Sequence, residues 1–376
     1  MKKILYIVNI GKKVNNFSYS SMIAAQKEGF EFHIAGNWYG YNSIEEKEID
    51  EKKYAIKIHQ IDFIRKPYDL RNFRAYIQIC RLIKKEKYDV IHCNTPIGGV
   101  VGRIAGLTCG VNRVIYQVHG FHFFKGASLL NWMLYYPIEK ILSRITDCLI
   151  TINDEDYHIA KRMKLKKNGS VKYVPGVGID LKEFNEITSV NENKREELGI
   201  PSESIVMISL GELNDNKNIG IIIEAMKTIN NYQLHYIVCG EGELRKDLEE
   251  KVKKYGLSEN VHFLGFRDDI KDLLQISDIF VMPSKREGLS RALMEAMASG
   301  LPCVVSKIRG NIDLVREQKN GFLCDTNCVD DYSKSINILC DENKRKMYGE
   351  KSKELIKKFD INTVIENMRM IYRNKG

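Results

Sequence analysis

Two glutamates eight residues apart, Glu287 and Glu295, stand in the stretch PSKREGLSRALMEAMASGLPCVVS (283–306), which follows the apolar run DIFVM. An ionised carboxylate is an acceptor-only group with two oxygens, so a pair of them suits a ligand rich in hydroxyls, such as a sugar. Eight residues make a little over two helical turns. The apolar positions Leu293, Met294, Ala296 and Met297 predict a helix lying on a sheet, with Glu287 in the loop at the strand end and Glu295 inside the helix. Gly288 lets backbone N–H groups approach an anion at the helix start. Taken alone, the spacing fits equally a surface helix with two solvated glutamates.

Around these residues, short β-branched runs alternate with longer amphipathic stretches. The runs 4–10, 30–36, 89–94, 112–120 and 147–153 form one series, and 204–213, 232–242, 260–266, 278–284 and 301–306 form a second. This βαβ cadence predicts parallel sheets with crossover helices. A chain of 376 residues exceeds what one core usually organises, so two doubly wound α/β domains are expected, 1–185 and 186–376. The Pro- and Gly-containing VPGVGIDLKEF (174–184) and the polar 186–197 read as the linker. Residues 343–376 are helix-like and are expected outside the second sheet or crossing back to the first domain. Ligands of such sheets bind at the carboxyl ends of the strands. The first turn, Ile10-Gly11-Lys12-Lys13, lacks the G-x-G-x-x-G spacing that a dinucleotide pyrophosphate requires, which argues against an oxidoreductase.

Charge points to an anionic partner. Lys and Arg number 58 against 49 Asp and Glu, a net +9, divided as +11 over residues 1–185 and −2 over 186–376. No nucleic-acid motif accompanies it. Nine scattered cysteines without a C-x-x-C pair indicate a reducing compartment, with neither a disulfide framework nor a metal site. MKKILYIVNIGKKV reads as a first strand rather than a signal peptide, and no run approaches the roughly 18 apolar residues of a membrane span. The expected location is therefore cytoplasmic, at most peripheral to a membrane. Residues 121–140 interleave Phe123, Phe124, Leu129, Leu130, Trp132, Tyr135 and Tyr136 with Lys125 and Lys140. That pattern suits a helix at an anionic bilayer surface or one packed into the first domain.

The whole set of motifs resembles the retaining GT-B glycosyltransferases of family 4, in the branch that builds bacterial capsules and exopolysaccharides. Glu287 and Glu295 match that family's Glu-x7-Glu signature. SIVMISLGELNDNKNIG (204–220) is similar to its donor-phosphate strand and loop, CGEGELRKDLEE (239–250) to its G-x-G-x-x-R loop, and VHFLGFRDDI (261–270) to its base-facing loop. In the first half, 90–106, 118–140 and 174–184 are similar to the same branch. The resemblance implies two Rossmann-like domains facing across a cleft, the first for the acceptor and the second for the nucleotide sugar. It implies transfer of a hexose or N-acetylhexosamine, most simply from a UDP-sugar, to a polyprenyl-diphosphate-linked saccharide at the inner face of the cytoplasmic membrane. No metal and no cofactor beyond the co-substrate would be needed. Within the enzymes a GT-B sugar-nucleotide epimerase is the alternative; outside them, an inactive carbohydrate-binding scaffold of a polysaccharide assembly complex.

By the same resemblance Glu295 would hold the ribose, Glu287 the donor sugar, and Lys217 the diphosphate, whose growing charge a preorganised cation stabilises. Gly211, Asn216, Gly240, Gly242, Arg245, Phe266, Gly288, Leu289 and Ser290 would complete the donor site. His119 would lie near the donor sugar and give a hydrogen bond to a hydroxyl or phosphate. Asn16, Gly98, Gly99, Gly120 and His122 would face the acceptor. The chain departs from the pattern at Glu212, where the family has an Arg; Arg286 and Arg291 are the candidate replacements, unless Glu212 contacts a donor-sugar amide or the acceptor. The family's paired glycines are also reduced, to Arg309-Gly310-Asn311.

Overall fold

The computed structural model describes residues 1–66, 69–185 and 194–374, with Asn16 and Asn185 described by their backbone alone. They form two α/β units with parallel sheets, as the restarting strand cadence predicts: Met1–Gly178 with Ile361–Gly376, and Ile179–Asp360.

The first sheet comprises β1 (Lys2–Gly11), β2 (Phe30–Trp38), β3 (Ile56–Gln60), β4 (Val90–Asn94), β5 (Arg113–Val118), β6 (Cys148–Thr151) and β7 (Ser170–Tyr173), in the order β3-β2-β1-β4-β5-β6-β7. Helices cover both faces of the central strands β1, β4 and β5, which therefore read as continuous apolar runs. The edge strands β3 and β7 escape a reading by apolar pattern, because IKIHQ and SVKY are short and put Lys57 and Lys172 in solvent.

One face is covered by the helices Asn16–Lys27 and Ile361–Arg373. The second of these buries Val364, Ile365, Met368, Ile371 and Tyr372, one stripe at helical period. Glu28 accepts from Arg369 Nε at 2.9 Å and Arg373 Nε at 3.0 Å, and the Tyr372 hydroxyl meets His92 Nδ1 at 2.7 Å. The C-terminal helix thus lies with the first unit. On the other face the helix Pro96–Thr108 sits so close to the sheet that a Cβ at Gly99 would fall 2.3 Å from the Tyr116 ring.

The second sheet comprises β8 (Ile205–Leu210), β9 (Leu234–Cys239), β10 (Val261–Gly265), β11 (Ile279–Met282), β12 (Cys303–Ser306) and β13 (Gly321–Cys324), in the order β10-β9-β8-β11-β12-β13. Edge strand β13, GFLC, is too short to have been legible. Ile179, Leu181 and Phe184 pack into this unit's core, so the division expected at 185/186 falls at 178/179. Most of the expected linker, 186–193, lies outside the described residues, and Lys194–Glu197 form one helical turn. All nine cysteines are free thiols. Among the described residues no helix is long and apolar enough to cross a membrane.

Candidate active site

In each sheet the strand order reverses beside a central pair, β1/β4 in one and β8/β11 in the other, and open sheets of this kind bind ligands at the carboxyl ends of the strands there. In the second unit the loops leaving β8, β9 and β10 are joined backbone to backbone. Gly211 N donates to Cys239 O at 2.9 Å, Leu213 N to Glu241 O at 2.9 Å, and Gly240 N to Gly265 O at 2.8 Å. Such contact needs bare backbone: a Cβ at Gly240 would stand 1.9 Å from Gly211 O, and one at Gly242 2.3 Å from Leu213 O.

Gly211 does a second job. At φ +147° it takes a conformation few L side chains adopt, and a Cβ there would lie 2.9 Å from Lys217 Cε. The lysine stem crosses the glycine, and its ammonium donates to Glu287 Oε1 at 2.7 Å. Two asparagines fix that approach. Asn216 Nδ2 donates to Arg286 O at 3.1 Å while Lys285 N donates to Asn216 O at 2.8 Å, binding the loop after β8 to the loop after β11. Asn218 Nδ2 donates to Thr326 O at 2.9 Å. Asn218 was not singled out in the sequence, although an Asn at φ +53° is a familiar turn choice.

The helix after β11 runs Arg291–Ala298, capped by Ser290, whose hydroxyl accepts from Leu293 N at 3.4 Å. Glu287 therefore precedes the cap, in the loop, and Glu295 lies one turn into the helix, as expected. Leu293, Met294, Ala296 and Met297 are buried, and Leu289 packs beside them. Lys217, Glu287 and Glu295 are thus brought to one strand-end region of one unit.

The candidate cations separate. Arg291 Nε is held by Glu295 Oε1 at 2.8 Å, and Arg286 is exposed. Arg245 is paired with Glu241 at 2.6 Å and Glu249 at 2.9 Å, both on its own loop and helix. Arg309, noted in the sequence only as a departure from paired glycines, is 6% exposed and points Nε at Glu287 O, 3.4 Å away. Next to it Gly310, at φ +80°, lies against the Gly288 carbonyl. Glu212 is exposed, and Phe266 is 78% exposed after β10, an open ring.

In the first unit His119 follows β5. Its Nε2 meets Asn94 Oδ1 at 3.0 Å, and its ring lies 4.3 Å from that of Phe17. Asn94 Nδ2 points to Ile7 O at 3.5 Å, so its oxygen faces the histidine and Nε2 carries the proton. Burial lowers the His119 pKa to about 4. The imidazole is neutral at pH 7, its N–H is spent on Asn94, and Nδ1 remains as an acceptor. In this arrangement its N–H is engaged within the protein rather than offered to a ligand.

The other acceptor candidates take different places in the first unit. Gly98 and Gly99 are buried in the helix that rests on the sheet, where lack of a side chain serves packing. Gly120 turns the chain at φ +130°, and His122 lies with its ring 4.6 Å from Tyr135. The Asn16 side chain lies outside what the structure describes; neighbouring Asn15 caps the helix, accepting from Phe17 N at 3.0 Å. Asp156, buried and unforeseen, accepts from Phe121 N at 3.2 Å and Asn153 Nδ2 at 2.7 Å, anchoring the loop that carries His119.

Comparison with known proteins adds family and fold. Residues 190–355 match the model described as "Glycosyl transferases group 1", and residues 3–153 the model "Glycosyl transferase 4-like". The chain is 33% identical to the Bacillus subtilis protein named as glycosyltransferase EpsD, over 99% of this chain and 96% of that one. It is 30% identical to an Escherichia coli protein named UDP-Gal:alpha-D-GlcNAc-diphosphoundecaprenol alpha-1,3-galactosyltransferase, over 81% of this chain and 80% of that one. Among solved structures, Anabaena HepE in complex with UDP-glucose superposes with a TM-score of 0.78 at 20% identity, covering 99% of both chains. WaaG, a glycosyltransferase involved in lipopolysaccharide biosynthesis, gives 0.73 at 17% identity, covering 99% of this chain and 100% of that one. These likenesses, with the two Rossmann-like sheets, make the fold GT-B.

Proposed function

The chain belongs to the glycosyltransferases, and from that membership we propose that it moves a hexose or N-acetylhexosamine from a UDP-sugar to a hydroxyl of a polyprenyl-diphosphate-linked saccharide, with retention, in bacterial surface polysaccharide assembly. The observation that carries this reading is the convergence of Lys217 and Glu287, 2.7 Å apart, with Glu295 on the adjoining helix. In the productive complex Glu295 holds the ribose and Glu287 the donor-sugar hydroxyls. As the bond from the anomeric carbon to the diphosphate breaks, negative charge grows on the leaving oxygen, and Lys217 turns from Glu287 to meet it. Arg309 supplies the cation missing at Glu212. His119 Nδ1 accepts from a sugar hydroxyl. The acceptor hydroxyl attacks from the side the nucleotide leaves, and its proton passes to the departing diphosphate oxygen, without a sugar–protein adduct.

The lipid-linked acceptor is supported by the substrate in the name of the E. coli relative, and the UDP donor by that name and the HepE complexes. Incubation with a panel of nucleotide sugars and a short-chain polyprenyl-diphosphate saccharide, followed by NMR of the product, tests donor, acceptor and anomeric configuration together. Nucleotide release that ignores the acceptor would replace this reading with an epimerase-like one.

A further inference from the structure

The helix Leu129–Leu142 is apolar on two sides, and only one of them faces the core. Inward, Trp132, Tyr135 and Tyr136 pack on the first unit's core, and buried Glu139 binds Arg103 at 2.8 Å. The aromatic residues that made this segment look interfacial therefore anchor the helix. Outward, the stripe is aliphatic: Leu130 is 70% exposed, Met133 67% and Ile141 64%. Spacings of three and eight residues place them on one side, with exposed Lys140 flanking them and exposed Arg144 in the 3-10 turn, Ser143–Ile145, that follows the helix. A solvent-facing helix normally turns polar groups to this side.

We infer that this outward face docks on an anionic lipid bilayer, the helix lying in the plane of the surface with Leu130, Met133 and Ile141 among the acyl chains and Lys140 and Arg144 at the headgroups; the inference rests on the lipid-linked acceptor proposed above. Leu130 to Ile141 spans about 16 Å along the axis, a strip that lies on a membrane without crossing it. Charge selects the occupant. The unit that carries the helix holds 31 Lys and Arg against 17 Asp and Glu, a net +14, while the other unit nets −5. A second copy would bring the same cations against Lys140 and Arg144, whereas an anionic surface attracts them.

The test is sedimentation of the full chain with vesicles of phosphatidylglycerol or of phosphatidylcholine, alongside transfer to a water-soluble short-chain acceptor. Binding to phosphatidylglycerol vesicles alone is expected, weakening as salt rises. The exposed triple substitution Leu130→Ser, Met133→Ser, Ile141→Ser should cut it at least about tenfold. Lys140→Gln with Arg144→Gln should cut it about fivefold per charge. Both variants should keep melting temperature and transfer to the soluble acceptor. Wild-type binding by the triple variant would overturn the proposal, as would a wild-type dimer that the triple variant turns into monomers without any vesicle binding. Vesicle binding in a protein that transfers no sugar would leave the docking face standing and remove the function proposed for the site.

Discussion

The Lys217 ammonium rests 2.7 Å from Glu287 Oε1, across the bare backbone of Gly211. In the proposed complex the group that meets the diphosphate is held beforehand by the group that meets the sugar, so binding a nucleotide sugar would exchange an internal ion pair for contacts with the ligand. Glu287→Gln should therefore leave UDP affinity equal or higher, since Lys217 is released, while transfer falls about 100-fold. Lys217→Ala should weaken UDP binding and transfer together. Calorimetry with UDP beside steady-state kinetics separates the two; transfer unchanged in Lys217→Ala and Glu295→Ala would remove the assignment.

Gly211 and Gly99 make a contrasting pair. Gly211→Ala combines strain at φ +147° with a 2.9 Å approach to Lys217, at a cost of about 1–3 kcal/mol, and should reduce UDP affinity as well as stability. Gly99→Ala pushes a methyl to 2.3 Å from Tyr116 and should lower the melting temperature while UDP affinity stays intact. Weakened acceptor affinity at unchanged stability in Gly99→Ala would speak for the acceptor role that the resemblance implies.

Among the arginines, Arg309→Lys should weaken UDP binding about tenfold, because a bidentate fork becomes a single ammonium. Arg286→Ala, at an exposed position, should change it little. The reverse ranking, read by calorimetry, would make Arg286 the replacement for the missing cation.

Burial lowers the pKa of His119 and His59 to about 4 and that of His92 to about 3. Unfolded histidine titrates near 6.5, so between about pH 6.5 and 4 the unfolded chain binds protons that the folded one refuses. The stability these groups contribute is complete above that window and is lost as pH falls through it. Thermal melts at pH 7 and pH 5 should show a drop of several degrees at the lower pH, smaller in His119→Gln. Transfer should show no titration of His119 between pH 8 and 6.

Tyr372→Phe removes the hydroxyl that meets His92 Nδ1 and should destabilise by about 1–2 kcal/mol in denaturant titration. Truncation after Asp360 deletes the stripe from Val364 to Tyr372 and should leave the first unit unable to fold.

Much of this was legible in the sequence because it is periodic or local. The central strands, the helix beneath Glu295 and the loop positions of Glu287 and Lys217 follow from runs, spacing and motif. What stayed hidden depends on contacts distant in the chain. A Gly-Gly pair looks alike whether it cradles a ligand or a neighbouring ring, and only the Tyr116 ring beneath the helix shows which surrounds Gly99. Arg309 gains its place from Glu287, 22 residues away, and His119 its tautomer from Asn94, 25 residues away. The helix 129–142 carries apolar residues on both sides, so composition could not say which side faced water.

The path of the chain between the units carries a consequence for biosynthesis. It leaves the first unit at Gly178 and returns at Ile361, and these positions are neighbours: a Cβ at Gly178 would lie 2.8 Å from Ile361 Cα, while Ile179 pairs with Asp360 in the second unit. The second unit is thus an insertion, its ends together, all of whose residues leave the ribosome before the first unit is complete. At about 5–20 residues per second the first sheet waits roughly 10–40 s for its second covering helix, part of one apolar face open. A chain cut short near residue 360 would hold a late-made half with all of its own strands and helices and an early-made half whose sheet still lacks its second covering helix.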